Sequence, residues 1–268
     1  MNQTGRARFR DLGFSIGLLP TARLNAITDV PGVRVGHATL IEGEGPLVPG
    51  HGPIRTGVTA ILPHGDDLYL ERVAAAVQVL NGSGEVTGRT FIDEMGVMDG
   101  PIMLTNSFNV ARVADAVISG TIGRHPWLGV EARYVHPVVA ECSDLKLSDI
   151  QGRHVGPDDV AAAWSAASGG AVQEGCVGGG TGLVCYQFKS GIGTSSRVVD
   201  AAGERFIVGV LAMPNHGIRP ELRIDGVAVG QAIPDHTPSW IQEGSVILVV
   251  ATDAPLVSRQ LSRLARRA

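Results

Sequence analysis

Hydrophobic positions fall along this chain in two rhythms. Short runs rich in β-branched residues read as strands: VTAILP at 58–63, PIMLTN at 101–106, YVHPVVAE at 134–141, ERFIVGVLAMPN at 204–215 and SVILVVATD at 245–253. The last is almost unbroken in its apolar character, which predicts a buried strand. LVCYQFKSGIGTSSRVV at 183–199 has strand composition as well. Between these runs, LYLERVAAAVQVLNG (68–82) repeats apolar residues three and four apart and predicts a helix closed by Asn81-Gly82. FNVARVADAVISG (108–120) predicts a second helix ending at its glycine. DDVAAAWSAASGG, opened by Pro157-Asp158-Asp159, predicts a third with an acidic first turn. The final segment reads as an amphipathic helix with Asp253 as N-cap, Pro255 in the first turn, and Leu256, Leu261 and Leu264 on one side.

No repeat, linker or shift of composition divides the sequence, so the pattern predicts a single α/β domain over residues 1–268 with helices packed on sheets. The 268 residues, 44% of them hydrophobic, suffice for one large core. A net charge of -4 supplies no general field for a phosphate backbone, which argues against a nucleic-acid partner. No signal-like stretch and no run of about 20 apolar residues is present, so the expectation is a soluble, cytoplasmic protein with no membrane partner. Three cysteines without CxxC spacing predict neither a disulfide framework nor a zinc site and read as small buried hydrophobes. Glycine, at 36 residues, is the unusual quantity, and it lies in clusters between apolar runs, where it marks turns and close backbone approaches.

The richest cluster is CVGGGTGL at 176–183. It lacks both the lysine of a phosphate-binding P-loop and the spacing of a dinucleotide fingerprint, so Gly178, Gly179 and Gly180 read as a place where one backbone passes close to another or to a ligand. The eight histidines form no HExxH and no pair spaced to face one way on a helix, which predicts no metal site. A G-x-S-x-G elbow is also missing. Gly244-Ser245 stands directly before the strand VILVV. A serine hydroxyl needs a base beside it, and a serine at the start of a chain can use its own α-amine. That route requires the bond before Ser245 to break, and glycine there admits the required dihedrals. A Gly-Ser turn before a strand is also ordinary turn chemistry, and the local pattern leaves both readings open.

ITDVPGVRVGHATL (27–40), GPIRTGVTAILPHG (52–65), NGSGEVTG (81–88), GPIMLTNS (100–107), VGGGTGLVCYQFKSGIGTSSRVV (177–199) and GSVILVVATDAPL (244–256) together resemble the L-aminopeptidase/D-esterase family, which includes the D-amidases and β-peptidyl aminopeptidases. The matches occur in family order through nearly the whole chain. The resemblance implies an αββα sandwich of the N-terminal-nucleophile type, made as a precursor that cuts itself between Gly244 and Ser245. Ser245 would then accept the acyl group of a short peptide, amide or ester with a free amino end. It also implies that Asn215 donates to the oxyanion, that Glu141 receives the substrate ammonium, that no cofactor is needed, and that the protein is a homo-oligomer. Taken alone, Asn215 would be a turn residue and Glu141 a solvated strand end.

Two departures from the family pattern stand out. Ser143 occupies the position, two residues after Glu141, where a tyrosine commonly helps to line the oxyanion region. The chain also ends at Ala268, soon after Ser245, whereas family members are expected to continue. This raises the expectation of a C-terminally truncated sandwich and, as a competing reading, of an inactive remnant that binds or scaffolds. The related ornithine acetyltransferase type, with a threonine nucleophile, fits less well, because no comparable threonine precedes a strand.

Overall fold

The computed structural model describes residues 7–131, 133–240 and 244–268. In chain order its strands are β1 (Arg34–Glu42), β2 (Ile54–Leu62), β3 (Val73–Ala74), β4 (Val97–Met98), β5 (Ile102–Thr105), β6 (Val138–Glu141), β7 (Val184–Cys185), β8 (Phe188–Lys189), β9 (Gly193–Ala201), β10 (Glu204–Asn215) and β11 (Ser245–Thr252). The helices are α1 (Arg89–Met95), α2 (Val110–Arg124), α3 (Pro157–Ser165), α4 (Val229–Ala232) and α5 (Ser258–Arg267).

Two sheets carry the architecture. The first has the order β1-β2-β5-β6 and is antiparallel except for the parallel pair β5/β6; the second is the antiparallel meander β9-β10-β11. Because side chains alternate along a strand, the apolar run of β2 serves two cores at once. Val58, Ala60 and Leu62, with Met103 and Val139, pack against Val113 and Val117 of α2 and Val160 of α3. Ile61, Leu104 and Ala140 face the other way and meet Leu211 and Met213 of β10 and Ile247, Val249 and Ala251 of β11. Helices, first sheet and second sheet are thus successive layers, and the strands of the first sheet lose polar alternation because both of their faces are buried.

This alternation also decides where chemistry can sit. Leu211, Met213 and Asn215 share the inward face of β10, and Ser245 shares the inward face of β11 with Ile247 and Val249. Both polar residues lie at the end of their strands, where the apolar core runs out.

Several elements differ from the sequence pattern, for identifiable reasons. The helix expected over 68–82 does not form. Asp67 Oδ1 accepts from the backbone N–H of Tyr69 and Leu70, which closes a turn, and β3 then pairs with β4 instead of coiling. Local side-chain bonding and tertiary pairing outweigh helix propensity here. α2 continues past Gly120 to Arg124, whose guanidinium lies 4.1 Å over the Trp164 ring of α3. The strand expected from Tyr134 begins only at Val138, because His136 stacks on Phe91 and bonds Asp99. Asp253 does not cap α5; its carboxylate accepts from Ile207 N–H on β10, and the helix starts at Ser258. All three cysteines are free, but only Cys142 is fully buried. Among the described residues, no helix is long and apolar enough to cross a membrane.

Candidate active site

The register of the second sheet sets Asn215 directly opposite Ser245. Asn215 is 1% exposed, so its amide must find partners, and it finds three. Its Oδ1 accepts from Val184 N–H at 3.2 Å, and its Nδ2 donates to the carbonyl of Ser143 at 2.9 Å. These partners are a pure donor and a pure acceptor, so they fix which way the amide points. The second Nδ2 hydrogen is then aimed at Ser245 Oγ, 3.2 Å away. Asn215 is therefore the terminal residue of a strand and not a turn residue.

The first sheet supplies the opposite wall. Ala140 and Cys142 face the second sheet, and the Cys142 thiol donates to Met213 O at 3.4 Å while touching the Ser245 hydroxyl. Burial pushes this thiol up to about 12, against an opposing pull from Ser245, so it stays protonated and cannot serve as a base at neutral pH. Glu141 points away from the second sheet and is 8% exposed. Its Oε2 accepts from the Ser107 hydroxyl, and its Oε1 from Glu85 N–H at 3.3 Å. Two donors and no counter-cation among the described residues leave a held carboxylate with accepting capacity to spare.

The turn after Glu141 is tied down from below. The carboxylate of Asp144 accepts from Asn106 Nδ2 at 3.1 and 2.9 Å, and burial raises it to about 6 against the opposing effect of the Thr56 and Asn106 hydrogen bonds. Thus the sheets bring Ser245, Asn215 and the Ser143 carbonyl into direct contact. Glu141 is attached to this group through the chain and shares no hydrogen bond with Ser245 or Asn215 among the described residues.

Gly244 needs its missing side chain, because a Cβ there would lie 2.6 Å from His216 Cβ. Gly178, Gly179 and Gly180 are fully buried beneath the site. A Cβ on Gly178 would meet Thr59 Oγ1, one on Gly179 the carbonyl of Leu104 at 2.7 Å, and one on Gly180 the backbone of Ile192 at 2.6 Å. Their N–H groups are also used, Gly178 donating to Thr39 Oγ1 and Gly179 to Thr59 Oγ1. Here the cluster packs backbone against backbone. No group of three or more His, Cys, Asp or Glu side chains among the described residues is placed to hold a metal ion.

Residues 25–268 match the profile of peptidase family S58. The chain belongs to that family. It is 47% identical over 274 residues to the β-peptidyl aminopeptidase BapA of Sphingosinicella xenopeptidilytica, an alignment covering 97% of this chain and 67% of the relative. The structure superposes on the PH0078 protein of Pyrococcus horikoshii OT3 with a TM-score of 0.91 at 43% identity, covering 96% of this chain and 72% of that one. It superposes on the L-aminopeptidase D-Ala-esterase/amidase of Ochrobactrum anthropi with a TM-score of 0.88 at 42% identity, covering 98% and 72%. That enzyme is described as a prototype of the serine aminopeptidases and a variant of the Ntn hydrolase fold. The S58 chain described here is accordingly an α/β peptidase of Ntn-hydrolase type.

Four participants in this S58 site were not legible as such in the sequence. Cys142 reads as a plain buried hydrophobe, and nothing in its spacing places it on Ser245. Ser107 lies within the GPIMLTNS motif but has no local mark of function. The Ser143 carbonyl and the Val184 N–H are backbone groups, which no residue-type argument can single out.

Proposed function

We propose that this S58 peptidase is a serine aminopeptidase that first cuts its own chain between Gly244 and Ser245 and then hydrolyses short peptides, amides or esters bearing a free amino end. In the first step Ser245 Oγ attacks the Gly244 carbonyl carbon, the acyl group moves from nitrogen to oxygen, and water hydrolyses the ester. Gly244 is left with a carboxylate and Ser245 with a free α-amine. Free α-amines titrate at about 8, low enough for this one to take the hydroxyl proton near neutral pH.

In turnover the hydroxyl, relieved of its proton by the amine, attacks the substrate acyl carbon. The charge developing on the acyl oxygen is met by Asn215 Nδ2, which is held in place by Ser143 and Val184 and costs no reorganisation at the moment of reaction. The amine returns the proton to the leaving group, and water resolves the acyl-enzyme on Ser245. Glu141 receives the substrate ammonium, which makes an unblocked amine a requirement. The likeness to a β-peptidyl aminopeptidase and to an L-aminopeptidase with D-Ala-esterase and amidase activity supports this range of substrates.

The observation that carries the reading is the 3.2 Å contact between Asn215 Nδ2 and Ser245 Oγ at the mouth of the two-sheet core. It also favours an enzyme over a binding remnant, because a remnant has no use for a directed amide donor beside a serine hydroxyl. The test is intact-mass spectrometry combined with release of a fluorogenic aminoacyl amide. The native chain is expected to yield fragments ending at Gly244 and starting at Ser245, while Ser245→Ala stays whole and inactive. An uncut protein that turns substrate over refutes the proposal.

A further inference from the structure

Residues 216–244 join β10 to β11, so this excursion connects Asn215 to Ser245, which lie side by side in the sheet. Both ends of it are gripped by the tip of one short hairpin. β7 and β8 are joined by Tyr186 and Gln187 alone, with φ of 49° and 59°. Two-residue turns of this hand normally take Asn and Gly, and a bulkier residue stays left-handed only where its surroundings over-determine it.

The surroundings do so here. Tyr186 N–H donates to His216 O at 2.7 Å, and its ring meets the His216 ring edge-on at 5.3 Å. Gln187 Oε1 accepts from Arg219 N–H at 2.9 Å, while its Nε2 donates to the carbonyls of Pro238 and Trp240, each at 3.1 Å. Arg219 is 3% exposed and pairs with no carboxylate among the described residues. Its guanidinium instead donates to the carbonyls of Ile233, Asp235 and Gln187 and lies 3.4 Å over the Phe188 ring. A buried cation and a strained turn are both costly, and together they tie the main chain of the hairpin tip to that of the segment leading to Gly244.

We infer that Gln187 is a positioning residue for self-scission: with Arg219 it holds the backbone at residues 233, 235, 238 and 240, and so aids attack at the Gly244–Ser245 bond. The inference rests on the proposed self-cleavage and adds the device that aims it. Gln187 touches neither reacting atom and acts only through Pro238, Trp240 and Arg219.

The test follows scission of the full native chain made by cell-free translation, read as intact mass against time. Gln187→Asn keeps a side chain that tolerates the left-handed turn but is too short to reach both carbonyls. Gln187→Glu keeps the length and the bond from Arg219 N–H but has no donor for Pro238 and Trp240. Both are expected to cut at least fivefold more slowly than wild type, with melting temperatures unchanged or, for Gln187→Asn, raised. A purely structural role for Gln187 would leave the Gln187→Asn rate alone.

A second reading uses uncut Ser245→Ala with Trp127 and Trp164 replaced by Phe, leaving Trp240 as the only indole of the three. Its fluorescence anisotropy should fall when either Gln187 variant is added. A variant that cuts less than fivefold more slowly, or an unchanged Trp240 anisotropy, overturns the inference while leaving self-cleavage standing. A wild-type chain that never cuts defeats the self-cleavage reading and this one with it.

Discussion

Asn215 shows how a buried amide whose oxygen and one hydrogen are committed to the backbone of Val184 and Ser143 still has its second hydrogen left for chemistry. Replacing it with alanine removes the donor aimed at Ser245 and also orphans Val184 N–H and the Ser143 carbonyl. The second effect costs about 1 to 3 kcal/mol of stability for each buried polar group left unpaired. In the proposed mechanism the first is worth roughly 3 to 4 kcal/mol of transition-state stabilisation. Asn215→Ala is therefore expected to lose about 10² to 10³ in kcat, with KM changed far less and a lowered melting temperature; steady-state kinetics on folded protein decide it. An equal loss in KM with kcat preserved would mean that the amide binds ground state and transition state alike. Ser143 matters differently from the tyrosine expected at its place. Its backbone carbonyl, not its side chain, orients Asn215.

At the scale of elements, the three consecutive glycines form the joint between the layers. The segment Gly178–Gly180 crosses the inner face of the first sheet at backbone-to-backbone distance. Gly179→Ala would press a methyl group to 2.7 Å from the Leu104 carbonyl, which a strand in mid-sheet cannot move away from. A destabilisation of about 1 to 3 kcal/mol or more is expected from such overpacking. Gly193, in β9, has nothing within 4 Å of its would-be Cβ, and its alanine variant should be close to neutral. Urea midpoints for the two variants separate close packing from a general intolerance of alanine. The glycine cluster was legible as a close approach, but the backbones that Gly178 and Gly179 approach, at Val58 and Leu104, lie more than 70 positions away. The same limit explains 68–82: its apolar spacing is helical, yet the Asp67 turn and pairing with β4 decide its shape.

For the molecule as a whole, two buried titrating groups set opposite slopes of stability with pH. Burial raises Asp144 to about 6, above its unfolded value, so the fold loses stability as pH climbs from the unfolded pKa of 3.8 through 6. A shift of that size corresponds to about 3 kcal/mol at most. Burial lowers His37 to about 4, and that side chain costs stability as pH falls from 6.5 through 4. Asp144→Asn removes the first slope only. Its melting temperature should rise relative to wild type between pH 4 and pH 7 and level off above, whereas parallel curves would show that Asp144 titrates in the fold as it does in the unfolded chain. Because Asp144 anchors the turn bearing Ser143, this titration sits close to the carbonyl that orients Asn215.

The sequence by itself determined the α/β class, the apolar runs that become the two core sheets, and, through family-like motifs, the pairing of a Gly-Ser step with Asn215 and Glu141. These are legible because burial and turn chemistry act on neighbouring residues. Only the tertiary structure decided that Asn215 and Ser245 stand opposite each other at 3.2 Å, that Glu141 is held by Ser107 and Glu85, and that Tyr186 binds His216 while Gln187 binds the chain at Pro238 and Trp240. Each of those contacts joins segments far apart in sequence through strand register and layer packing, and a register is a property of two strands together, which neither strand carries in its own residues.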